Sequence, residues 1–126
     1  MSSDIIGNII SFEQLVVPQT SDEVNRVADK YGIDISGYNV HLRMDEDLLD
    51  VTKGYTGGAF ENNEIDLYPL AFINEETLAR TLFHEAFHQK QYAKYGYDNI
   101  IVEHMKYENI TRNAENKWWE NKEWQK

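Results

Sequence analysis

The chain has 126 residues, with 12 Lys plus Arg against 22 Asp plus Glu and a formal net charge of −10. That length suits one modest core, and that charge argues against nucleic acid and anionic membrane surfaces as partners, since both would repel it. With no cysteine there is neither a disulfide framework nor a thiolate metal site.

The first residues, "MSSDIIGNIISFEQLVV", carry Asp4 and Glu13 and no basic region ahead of an apolar run, so they do not read as a signal peptide. No apolar run is long enough to span a membrane. A cytoplasmic protein is expected, with virion association or non-classical export as alternatives. "PQTSDEVNRVADKYG" predicts a helix capped by Thr20 or Ser21, with Val24, Val27, Ala28 and Tyr31 on one stripe and Gly32 as its stop. "YNVHLRMD" alternates Val40, Leu42 and Met44 with His41 and Arg43, the pattern of a half-buried strand. "YTGGAFENNEIDLYPL" predicts two strands turning at Asn62-Asn63, with a bulge or close backbone approach at Gly57-Gly58 and an end at Pro69.

Asn74 then caps a long helix that Gly96 stops. Its apolar residues cover more than one stripe, which makes it central. Residues 98 to 124 predict a last helical region with Ile100, Ile101, Met105, Ile110, Ala114, Trp118 and Trp119 at roughly helical spacing. Of the adjacent Trp118 and Trp119 only one can enter the core stripe. The expected class is α+β: a small, mainly antiparallel three-stranded sheet packed on these helices.

The central helix contains "TLFHEAFHQKQ", residues 81 to 91. On a helix His84 and His88 lie one turn apart and share a face, so both imidazoles can reach one ion. Glu85 sits about 100° round. It is poorly placed to ligate but well placed to take a proton from a water at the cation, the arrangement that metal-assisted hydrolysis requires. At this composition chance alone would produce HExxH in roughly one chain in a hundred. A catalytic zinc keeps three protein ligands and one open position. The other histidines, His41 and His104, do not follow closely enough to complete the shell, while Glu103, Glu108 and Glu115 lie downstream.

HExxH followed after 20 residues by Glu108 in "YENITRNAENKWW" resembles the gluzincin metallopeptidases, of the thermolysin type. The core of about residues 55–119, which pairs "YTGGAFENNEIDLYPL" with "TLFHEAFHQKQYAKYG" and "YENITRNAENKWW", looks like the small zincin-like domains of phage proteins and bacterial polymorphic toxins. The resemblance implies a minimal zincin-like domain over 1–126, with Zn2+ held by His84, His88 and Glu108, Glu85 as general base, and a peptide or protein as substrate. Glu115 stays open as the third ligand, since other small HExxH proteins place their acid later. "NEIDLY", residues 63 to 68, would then be the edge strand along the cleft, pairing with an extended substrate.

Where thermolysin-type enzymes have an Asn before the third ligand and an Asp four residues after it, this chain has Tyr107 and Arg112. The acceptor that orients a ligating imidazole must therefore come from elsewhere, with Glu115, Asp98 or a backbone carbonyl as candidates. His104, Tyr107 and Arg112 are candidates to stabilise an oxyanion, His104 foremost because it shares a helical face with Glu108. The alternative to a peptidase is a zinc-binding phage accessory or structural module without hydrolysis.

Overall fold

The computed structural model of the protein describes residues 12–49, 53–56 and 63–125. Helix α1 (Ser21–Lys30) begins as its sequence predicts: Thr20 Oγ1 accepts from the Glu23 N–H at 3.2 Å, and Val24, Val27 and Ala28 are buried. Gly32 follows at φ 67°, a backbone region that favours glycine.

Three strands form one sheet: β1 (Asn39–Leu42), β2 (Gly54–Thr56) and β3 (Glu64–Leu67), in the order β1-β3-β2. Strand β1 runs parallel to β3, with Val40 opposite Ile65 and Leu42 opposite Leu67, and only the three-residue β2 is antiparallel to it. The expected mainly antiparallel sheet is therefore wrong, and so is its weight in the fold. Among the described residues, α-helices of 10, 21, 6 and 17 residues dominate strands of 4, 3 and 4, so the protein is α-rich with a small mixed sheet. The alternation of apolar and polar residues specifies which face of a strand is buried, and a strand running either way presents the same faces. Direction was not encoded in that signal. Strand β3 lies between the other two, so residues 63 to 68 are not an edge strand. The anticipated bulge at Gly57-Gly58, and Asn62 of the turn, fall outside the described residues. Asn63, at the start of β3, has φ 71°.

After β3, Pro69 opens a 3-10 turn (Pro69–Phe72) in which all four residues are buried. Asn74 caps α2 (Glu75–Tyr95) by accepting from the Thr77 N–H at 2.8 Å, and Gly96 closes that helix at φ 86°. Helix α2 presents three different rows. Leu78, Ala79, Leu82 and Ala86 enter the core with Ile65, Leu67 and Phe72. Thr81, Glu85 and Gln89 are buried polar residues at i, i+4 spacing. Of these, Gln89 accepts from the Asn63 N–H and donates to the Glu64 carbonyl, both at 3.1 Å, tying α2 to β3. The third row, Arg80, His84 and His88, meets the C-terminal helix.

The single last helical region is in fact two helices, α3 (Tyr97–Val102) and α4 (His104–Glu120), broken at Glu103. Its apolar stripe is buried only in part, at Ile100 and Trp118. Ile101, Met105 and Ile110 are exposed, whereas Glu108, Thr111, Glu115 and Trp118 turn inward or are half-buried against α2. Trp118 is buried and stacks on Phe83 at 4.4 Å between ring centroids. A final 3-10 turn (Glu123–Gln125) brings Trp124 back to Tyr31, Trp118 and Trp119. Trp124 thus packs, partly buried, against the core.

Candidate metal centre

Helix α2 supplies His84 and His88 one turn apart, and α4 crosses it so that Glu108 faces both. Glu108 Oε1 lies 2.8 Å from His88 Nε2 and 3.3 Å from His84 Nε2. His84, His88 and Glu108 could hold a metal ion, since one donor atom from each lies within 4.8 Å of the others. Two imidazole nitrogens and one carboxylate oxygen match a catalytic zinc set, and each imidazole presents Nε2 inward.

The outer nitrogens are also engaged. His84 Nδ1 meets Glu115 Oε1 at 2.9 Å, and His88 Nδ1 meets Gln91 Oε1 at 2.9 Å. With an ion at Nε2, an acceptor at Nδ1 would hold the ring proton there. Glu115, half-buried, is in turn held by Arg80, whose Nε donates to Glu115 Oε2 at 2.7 Å. Arg80 Nη1 donates to Glu76 at 3.1 Å, and Nη2 donates to Asn116 Oδ1. Of the two carboxylates left open by sequence, Glu108 takes the place beside both Nε2 atoms and Glu115 the place behind His84.

These contacts reappear in the proton affinities. Burial opposes a negative Glu108, but the Arg112 hydrogen bond and the two histidines prevail and hold its pKa down at about 2. For His84, burial disfavours the imidazolium, yet the Glu115 bond and the nearby carboxylates outweigh it and raise the pKa. Burial dominates at His88 and lowers it, against the bonds to Gln91 and Glu108. Glu85 is pushed up to about 7 by burial, with His84 acting in the opposite direction.

Glu85 is only 7% exposed, because β2 lies directly over it. A Cβ on Gly54 would stand 2.8 Å from Thr81 Cγ2, 3.1 Å from Glu85 Cγ and 3.2 Å from Glu85 Oε2. Only a glycine hydrogen fits there. Glu85, His84, Glu108 and Glu115 line an open cleft of about 470 Å³ between α2, α4 and β2, together with Lys53, Arg80 and Arg112. The strand beside the cleft is thus β2 and not β3.

His104 is exposed and does not line the cleft, and Tyr107 is half-buried outside it. Of the three oxyanion candidates the cleft contains Arg112 alone. His41 pairs with Glu64 on the polar face of the sheet. Sequence reasoning missed Gly54, Arg80 and Gln91. The last two had a usable signal: Arg80 is one turn before His84, and Gln91 is three residues after His88. Comparison with protein-family models, curated proteins and solved structures gave no significant match.

Proposed function

We propose that the protein is a zinc-dependent peptidase, with the ion held by His84, His88 and Glu108 and with Glu85 as general base. The observation that carries this reading is the convergence of two imidazole nitrogens and one carboxylate, within 4.8 Å of one another, beside an open cleft that His84, Glu85 and Glu108 line. The likeness to the HExxH metallopeptidases supports it, as does the acceptor behind each histidine.

A divalent ion held by His84, His88 and Glu108 would supply Lewis acidity for a carbonyl and, if zinc, would lower the pKa of water to about 7. The chain supplies the rest. Glu85 borders the cleft next to the ligand His84 and accepts the proton of the attacking water, then returns it to the departing amine. Burial under Gly54 keeps its carboxylate in one place, which such proton transfer requires. Glu115 and Gln91 hold the imidazoles in one tautomer through the cycle. Arg112, on the α4 wall of the cleft, is the cationic donor proposed for charge developing on the carbonyl oxygen.

The test is zinc content by mass spectrometry, alongside hydrolysis of an unstructured peptide library. One zinc per chain is expected, removed by chelator together with activity. Glu85→Gln should retain zinc and lose rate by about 10²–10⁴-fold, the usual contribution of a general base. No zinc after supplementation would overturn the metal reading. Zinc without hydrolysis in the wild type would leave the non-catalytic module as the function.

A further inference from the structure

Glu108 approaches the histidines with both of its oxygens. Oε1 is 2.8 Å from His88 Nε2, while Oε1 and Oε2 are each 3.3 Å from His84 Nε2. An ion placed among these residues has two carboxylate oxygens within reach. If both bound, two oxygens and two imidazoles would take four positions, and a water or substrate would have to enter as a fifth ligand. The two oxygens differ in one respect. Arg112, one turn further along α4, donates from Nη2 to Oε2 at 2.7 Å.

We propose that Arg112 is a positioning residue that holds Oε2 of Glu108 away from the ion, leaves Oε1 as the single ligating oxygen, and so keeps the fourth coordination place open for substrate. This rests on the metal reading proposed above. A charge-assisted hydrogen bond of this length competes directly for the oxygen it engages. The guanidinium also constrains the plane of the carboxylate in a way that a neutral donor does not. Spacing of i, i+4 is shared by ordinary surface pairs, which contribute little. This pair differs in where its acid points: Glu108 is half-buried and turned toward two histidines, and both partners line the cleft.

Cobalt(II) substituted for zinc provides the test, because four-coordinate cobalt absorbs more strongly in the visible than five-coordinate cobalt. Removing any nearby cation alters affinity, but only a second oxygen alters coordination number, so the band is the deciding readout. Wild type, Arg112→Gln, Arg112→Lys and, as a control pair remote from the centre, Arg26→Gln are titrated with cobalt. The wild type should show the intense four-coordinate band. Arg112→Gln should bind cobalt and lose intensity, Arg112→Lys should recover it, and Arg26→Gln should match the wild type. A wild-type spectrum in Arg112→Gln, or a weak five-coordinate band already in the wild type, overturns the proposal while the metal centre stands. A wild-type protein that takes up neither cobalt nor zinc overturns the metal reading and this proposal with it.

Discussion

Replacing Gly54 by alanine should loosen the contact between β2 and α2 that covers Glu85. The added methyl carbon would stand 2.8 Å from Thr81 Cγ2, well inside van der Waals contact, and 3.1 Å from Glu85 Cγ. Thr81 cannot simply turn away. It is buried, β-branched, and its Oγ1 donates to the Thr77 carbonyl at 2.7 Å, so rotation would sacrifice that bond. Relief must come from backbone displacement, which for an overpacked methyl costs typically about 1–3 kcal/mol. With a urea dependence of about 2 kcal/mol/M, a cost of about 2 kcal/mol lowers the unfolding midpoint by about 1 M. Gly37 is the control: nothing stands within 4 Å of a Cβ there, and its φ is not positive. Gly37→Ala should be neutral or stabilise by up to about 1 kcal/mol through the unfolded state. Removing the obstructing methyl with Thr81→Ser should rescue Gly54→Ala in the double variant, a non-additive gain expected only of groups in contact. A Gly54→Ala midpoint equal to wild type, or a double variant whose loss is merely the sum of the singles, would refute the close approach.

Three further outcomes follow from the same contacts. Glu108→Gln should abolish zinc uptake in chelator competition, whereas Glu115→Gln should retain it with affinity reduced by about 10–100-fold, as for an outer-shell partner; the reverse order would make Glu115 the ligand. Glu75 ties the two helices by accepting from Lys30 at 2.6 Å and Tyr31 at 2.8 Å, and the Lys30 bond, opposed by burial and aided by Tyr31, lowers its pKa. A carboxylate lowered on folding stabilises above its unfolded pKa of about 4.3 and loses that contribution as pH falls through the folded value. The gap in urea stability between wild type and Glu75→Gln should therefore be steady near neutral pH and close below about pH 4; a gap that persists in acid would deny the ion pair its role. Trp124→Ala should cost about 2 kcal/mol in thermal unfolding, since the ring meets Tyr31 and Trp118 at 5.2 Å and Trp119 at 4.6 Å, and aromatic pairs contribute about 0.5–1.5 kcal/mol each. An unchanged melting temperature would show that the terminal turn packs without stabilising.

The elements with local signals were legible in the sequence. Thr20 and Asn74 cap the helices that follow them, and Gly32 and Gly96 follow their ends. The HExxH spacing placed His84 and His88 on one face for the same reason, since a helix brings i and i+4 together wherever it sits. What was not legible depends on contacts between elements. The parallel sense of β1, the central place of β3 and the break at Glu103 each leave the periodicity of the chain unchanged.

Helix α4 is the instructive failure, because its apolar pattern held at Trp118 and failed in the turns before it. Its apolar residues Met105 and Ile110 face solvent, and a row that reads as polar, Glu108, Thr111 and Glu115, faces α2. Folding by burial alone would have rotated this helix to hide the apolar residues. The observed rotation instead directs two carboxylates at two histidines and Arg80, and Arg112 of the same helix also pairs with Glu108, so that these partners offset the desolvation cost. Thr111, fully buried, satisfies its hydroxyl on the Tyr107 carbonyl at 2.8 Å, so it adds no unpaired group to that interface. Trp118, ten residues after Glu108, anchors the far end of the same face on Phe83, which precedes the first histidine. This aromatic contact and the two carboxylates lie on the same side of α4, and Glu108 is the glutamate placed beside both histidines. At the helix face that meets both histidines the chain departs from hydrophobic patterning, and under the proposed metal reading that departure, together with the spacing from His88, picks out Glu108.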